Sequence, residues 1–147
     1  MAAPVFVDTN VLVYARDSAA GRKQSAAHGW MEHLWRTREG RLSFQVLEEF
    51  YVTVTVKLRP GMDAEAARRE VRALTAWRPV PIDGAVMEGA WLIQDRYGVP
   101  WWDALIVSSA QAAECAYLLS EDFQDRQDLG GVRVVNPFTL GPTQLGG

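Results

Sequence analysis

The sequence is poor in the groups that cross-link or metallate a fold through sulfur and imidazole: it has one cysteine, Cys115, and two histidines. One thiol cannot close an internal disulfide, so the fold draws nothing from an oxidising compartment. Cys115 precedes the apolar run 116–119 and reads as a small buried hydrophobe. His28 and His33 stand five apart, which on a helix turns them in different directions, so they make no ligand pair. No apolar run approaches the roughly 18 residues that span a bilayer. The opening Met1-Ala-Ala-Pro has neither the basic nor the apolar region of a signal peptide. The expectation is a cytoplasmic protein that makes no use of a membrane. Internal repeats are also lacking. The one low-complexity stretch is the end of the chain, so a domain over 1–139 is expected, followed by a flexible tail over 140–147.

What is present suits one compact domain. The chain has 147 residues, 48% of them hydrophobic and 22% charged, which is enough apolar material for a core and too little charge for disorder. Its net charge of −3 argues mildly against a nucleic-acid partner. The charge is unevenly spread, however. Lys and Arg outnumber Asp and Glu by 12 to 9 in residues 1–80 and trail them by 3 to 9 in residues 81–147. Such a split fits phosphate-attracting groups beside an acidic pocket or, more simply, two ordinary solvated faces.

Apolar patterning alternates between strand and helix. Residues 4–7 (Pro-Val-Phe-Val) form a short apolar strand that stops at Asp8-Thr9-Asn10, as a buried parallel strand does. A short helix over 11–15 follows. A longer one spans 22–37, where Ala26, Trp30, Leu34 and Trp35 recur at helical spacing and Gly40 serves as the stop. Residues 42–44 read as a second strand. Residues 45–58 carry both a helical spacing (Val46, Phe50, Val54) and an alternation (52–56); the helix is favoured, with Pro60 ending it. Asp63 caps a helix to about Trp77, and 79–81 allow only a very short edge strand. Asp83 caps the next helix, which Gly98 ends, and another runs over 101–113. Strands follow at 116–119 and 132–135. The alternation predicts a three-layer α/β/α domain around a mostly parallel sheet of four or five short strands, whose ligands bind at the carboxyl ends of the strands.

Four acids are expected on that rim. Asp8 follows the first strand and Asp122 follows 118–121 in the same manner. Glu49 lies one turn into a helix and Asp103 in the first turn of another. Singly, each has an ordinary explanation as a cap, turn or solvated helix residue; their convergence on one rim is what sets them apart. Clustered carboxylates repel, and a divalent cation relieves the conflict. Oxygen ligands without cysteine or a usable histidine point to Mg2+ or Mn2+, one ion or two, and to attack on phosphorus by an activated water.

The segments that carry these acids resemble the motifs of PIN domains. Residues 7–15 (Val-Asp-Thr-Asn-Val-Leu-Val-Tyr-Ala) are similar to the family's opening motif. Residues 43–51 with Glu49, 102–106 with Asp103 and 118–123 with Asp122 are similar to the next three, in order, and 134–138 also look family-like. The resemblance covers nearly the whole chain. Its nearest subgroup is the VapC-type toxins of bacterial toxin–antitoxin pairs. The resemblance implies an RNA substrate, dependence on Mg2+ or Mn2+, a homodimer, and an antitoxin partner whose tail blocks the site. In the fourth motif Glu121 and Asp125 are lesser candidates for a ligand beside Asp122. Thr9, Asn10 and Ser120 are candidates to orient Asp8 or a metal-bound water.

Other residues invite weaker readings. Arg16, Arg22 and Lys23 follow the first motif and are candidates to touch RNA phosphates, although a solvated face explains each. Trp30, Trp35, Trp77 and Trp91 fit apolar faces and are assigned to the core; Trp101 and Trp102 either join them or wall the pocket. Three other functions compete. A housekeeping RNA-processing or DNA-cleaving nuclease would use the same acids. A phosphatase of the haloacid-dehalogenase kind needs an acid where Asn10 stands. A vestigial binding module would not retain all four acids.

Overall fold

A computed structural model of the chain describes residues 3–145. Strand β1 (Val5–Val7) leads into helices α1 (Thr9–Arg16) and α2 (Arg22–Thr37), then β2 (Gly40–Arg41). Helix α3 (Phe44–Val52) runs on into a wider turn over Thr53–Lys57. Helix α4 (Ala64–Leu74) closes with a tight turn over Thr75–Trp77. Helices α5 (Gly84–Tyr97) and α6 (Trp101–Ala112) precede β3 (Tyr117–Leu119), β4 (Asp128–Leu129) and β5 (Val132–Val135). The sheet order is β2-β1-β3-β5-β4, parallel except for β4.

The sheet is the buried kind that apolar runs imply. Successive residues of a strand point to opposite faces, yet Val5, Phe6 and Val7 are all at most 2% exposed, so both faces are covered. Helix α1 packs on α2 and α3, and α6 packs on β3 and β5 with α5 alongside it. Among the described residues no helix is long and apolar enough to cross a membrane.

Local chemistry explains most element boundaries. Asp63 accepts from the amides of Glu65 and Ala66, and Asp83 accepts from Val86, so each caps its helix as expected. Gly98 ends α5 at φ +68°, the left-handed backbone that glycine adopts freely.

Several expectations are corrected. Residues 42–44 are not a strand of the sheet: Ser43 accepts from the Val46 amide and starts α3 at Phe44. Their extended backbone pairs instead with Val80, through Val80 N to Leu42 O at 3.0 Å and Phe44 N to Val80 O at 3.1 Å. Gly40 does not stop α2, which ends at Arg38 in the left-handed region; it lies in β2, where the Trp77 ring packs on it so closely that a Cβ would sit 2.5 Å from two ring carbons. Trp35 and Trp91 are not core: they are 40% and 44% exposed, whereas Trp30 and Trp77 are buried. Strand β4 was not anticipated, although Gly130 and Gly131, both at positive φ, turn it directly into β5.

Part of the expected tail lies against the helices. Leu140 and Leu145 pack on the core, and the Trp30 indole N–H, itself buried, donates to the carbonyls of Pro137 and Leu140. Gly146 and Gly147, also within that tail, fall outside the described residues.

The Gly40 contact is testable. Gly40→Ala should destabilise the fold by about 1–3 kcal/mol, the usual cost of overpacking, as read by urea denaturation. Gly84→Ala, where a Cβ meets nothing within 4 Å, should not.

Candidate active site

The parallel register of β1 and β3 builds the centre of the site. Val7 pairs with Leu119, so the next residues, Asp8 and Ser120, emerge side by side at the carboxyl ends of adjacent strands. The Asp8 amide continues the ladder to Leu119 O, and the Ser120 amide continues it to Val135 O. The Ser120 hydroxyl, fully buried, donates to Asp8 Oδ2 at 2.7 Å. It accepts from Asn10 Nδ2 at 3.2 Å and from the Asp122 amide at 3.1 Å. One donor and two lone pairs are all a hydroxyl has, so Ser120 is saturated. Asp8 Oδ1 caps α1 through the Thr9 amide at 2.7 Å.

Asn10 ties the two strand-end acids together. Its Nδ2 donates to Asp122 Oδ2 at 2.9 Å and lies 3.5 Å from Asp8 Oδ2. Glu49 comes from the second turn of α3, and the Thr9 hydroxyl reaches it at 3.4 Å. Asp103, in the first turn of α6, is half-buried.

The charges of Asp122 and Glu49 bear on both Asp8 and Asp103. Burial, with the charges of Asp122 and Glu49 added, pushes the Asp8 carboxyl up to about 7, against the pull of the Ser120 and Thr9 hydrogen bonds. Burial and the same two charges raise Asp103. Glu49 and Asp122 thus lie close enough to Asp8 and Asp103 for their charges to act on both, yet among the described residues no group of three or more His, Cys, Asp or Glu side chains is arranged to hold a metal ion.

The remaining candidates sit elsewhere. Glu121 accepts from the Tyr14 hydroxyl and from Lys23 Nζ at 2.8 Å. Burial pushes its carboxyl up, but these hydrogen bonds outweigh it and hold Glu121 below its ordinary value. Asp125 accepts from the Asn136 amide at 2.9 Å and the Thr139 hydroxyl at 3.3 Å, a loop-holding arrangement. Arg16 pairs with Glu70 at 2.5 Å, Lys23 is occupied by Glu121, and Arg22 is exposed. Trp101 stands 6.0 Å from Trp91, ring to ring, and Trp102 is 66% exposed.

One residue was missed. The buried Gln45 donates from Nε2 to Glu49 Oε1 at 2.9 Å and lies 3.4 Å from the carbonyl of Trp102, the residue before Asp103. It thus links the helices that carry two of the acids. Its position four residues before Glu49, on the same helical face, was the available signal. Gln45 Oε1 and Asn10 Oδ1 are both buried without a hydrogen-bond partner. Orphaned oxygens of this kind, in a set of donors made wholly of oxygen, suit a hard cation and its waters.

Fold and site together define an α/β protein with an acidic cluster on the carboxyl rim of a parallel sheet. The chain belongs to the PIN-domain family, whose model matches residues 5–127. No curated protein sequence matches it significantly. Among solved structures it is similar to a toxin–antitoxin complex from Klebsiella pneumoniae, with TM-score 0.66, 20% identity, and coverage of 90% of this chain and 97% of that one. It is also similar to the sarcin–ricin-loop-cleaving toxin VapC20 of Mycobacterium tuberculosis, with TM-score 0.59, 17% identity, and coverage of 80% and 89%. VapBC2 of Rickettsia felis, bound to a DNA fragment from its promoter, is similar with TM-score 0.60, 16% identity, and coverage of 90% and 97%. At these identities the likeness is one of fold.

The Asp8 shift has a consequence for stability. Asp8 binds its proton more tightly folded, at about 7, than at its ordinary 3.8. Its ionisation therefore costs nothing below about pH 4, and the folded state loses stability progressively as pH rises to about 7. In EDTA, the melting temperature of Asp8→Asn should pull ahead of the parent's across that window and stay level with it below. Parallel melting curves at every pH would contradict the assignment.

Proposed function

We propose that the chain is a divalent-metal-dependent endoribonuclease, working as a cytoplasmic toxin that a cognate antitoxin restrains. The observation that carries this reading is the convergence of Asp8, Glu49, Asp103 and Asp122 from four separate segments onto one rim, where burial and mutual charge push the Asp8 carboxyl up to about 7. A cluster so disfavoured in isolation makes sense as a receptor for a cation.

Asp8, Asp103 and Asp122, with Glu49, would hold Mg2+ or Mn2+. Mg2+ commonly takes only one or two carboxylates and fills its shell with waters and substrate phosphate. Bound there, the ion would polarise the scissile phosphate and acidify the attacking water. The chain's own groups set the geometry. Ser120 and Thr9 fix the two oxygens of Asp8. Asn10 holds Asp122 against Asp8, and Gln45 holds Glu49 toward α6.

A protein partner and self-association are supported by the surface. Met87, Trp91, Leu92 and Trp102 are exposed on α5 and α6, apolar side chains of the kind a second chain covers. A toxin–antitoxin role is consistent with similarity to the Klebsiella pneumoniae and Rickettsia felis complexes.

The test is cleavage of tRNA and rRNA by the purified protein. EDTA should abolish it, and Mg2+ or Mn2+ should restore it. Asp8→Asn and Asp103→Asn should each lower the rate by about a hundredfold or more while the circular dichroism stays unchanged. Undiminished cleavage by either variant would remove that acid from the site. Expression of the parent alone should arrest growth, relieved by co-expressed antitoxin. Normal growth with active enzyme present would turn the reading to a housekeeping nuclease.

A further inference from the structure

At the other end of the sheet, where β2 pairs with the start of β1, three arginines surround a pair of tryptophans. Arg38, Arg41 and Arg78 line a cavity of about 320 Å³ together with Trp35 and Trp77, whose rings stand 5.1 Å apart. The cavity opens beside a broader one of about 870 Å³ that shares Arg41 and Arg78. Among the described residues none of the three guanidiniums has a carboxylate within 4.0 Å. Arg38 and Arg78 make no side-chain hydrogen bond there. Arg41 uses only Nη1, on the carbonyls of Arg38 and Gly40. Of the acids on the broader cavity, Asp83 is engaged in capping α5; the other is Glu114. Trp35 is 40% exposed, and the buried Trp77 Nε1 has no hydrogen-bond partner.

This placement is held by the fold. Arg38 and Arg78 both sit in the left-handed region, at φ +61° and +56°, and end their helical segments on either side of β2. Gly40 has no Cβ, and the Trp77 ring occupies that space. Unpaired guanidiniums beside an accessible aromatic face are the combination that binds single-stranded nucleic acid: charge takes the phosphates and a ring takes a base.

We propose that this pocket holds an unpaired nucleotide of single-stranded RNA, its phosphate on Arg38, Arg41 and Arg78 and its base against Trp35. The inference rests on the ribonuclease reading. It adds a second anchoring point on the opposite rim from the four acids, so that bound RNA runs across the edge of the sheet at β2. It also gives the basic first half of the chain a role that Arg16 and Lys23, paired as they are, do not fill.

The experiment is fluorescence anisotropy with labelled single-stranded RNA of about 12 nucleotides, within the usual site sizes for such binders, in Ca2+ in place of Mg2+ and over a range of salt. Arg38→Gln/Arg78→Gln should weaken binding by about tenfold and flatten the salt dependence by about 0.7 in slope, the contribution of one phosphate contact on a single strand. Trp35→Ala should weaken binding without changing that slope, and Trp35→Phe should restore it. With Mg2+, KM should rise and kcat at saturating RNA should hold. Arg38→Gln alone, on an exposed side chain, guards against misfolding. If the parent cleaves RNA but these variants bind it as the parent does, with the same slope, this inference falls and the nuclease reading stands. If the parent neither binds nor cleaves RNA, both fall. An equal loss of affinity for duplex DNA would overturn the assignment to single-stranded RNA.

Discussion

The hydrogen bond from Ser120 to Asp8 is the contact around which the acidic rim is organised. It joins the ends of two adjacent interior strands, and its donor is saturated by Asn10 and by the Asp122 amide. A one-residue slip in the β1–β3 register would turn Asp8 to the other face of the sheet. Backbone pairing between Val7 and Leu119 therefore does chemical as well as structural work: it decides which carboxyl group sits in the wall and which stand around it.

The rim holds its acids at unequal cost. Asp8 is buried and sits high; Glu49 and Asp122 are exposed and lend their charge to it; Asp103 is half-buried and is raised by the same pair. Such a gradient is what a folded chain can tolerate without a bound ion, because the two most exposed acids keep their hydration. It also means that these carboxylates are already held in order, so the cation proposed above would find them in place. Gln45 and Asn10 supply that order with amide nitrogens, and each leaves its oxygen free and buried.

The two rims of the sheet differ in kind. The carboxyl rim gathers acids at strand ends and helix starts. The amino end near β2 gathers arginines and tryptophans, because helical segments end there and left-handed residues turn side chains outward. One domain thus carries an acidic lip, drawn from both halves of the chain, and a basic edge drawn from the first half. The exposed Trp35 and Trp91, unremarkable as members of apolar stripes, mark where helices meet solvent rather than sheet.

Much of this was legible beforehand. The apolar run before Asp8, the caps at Asp63 and Asp83, the stop at Gly98 and the helix over 22–37 are local matters, settled by side-chain volume, capping chemistry and periodicity over a few residues. The four acids were legible for the same reason: each adjoins an apolar run that fixes its direction. Other features depended on partners distant along the chain. Leu42–Phe44 has the composition of a strand, but its pairing with Val80 and the Ser43 cap made it the entry to a helix. Gly40 resembled a helix stop until Trp77 packed on it, and Gln45 gained its meaning only when α6 brought the Trp102 carbonyl beside it. By itself the sequence determined which residues are acids, caps and strands, since those follow from chemistry within a turn or two. Tertiary structure alone decided which acid is buried, which amide holds which carboxylate and where the arginines face, since desolvation and contact arise only between segments that folding brings together.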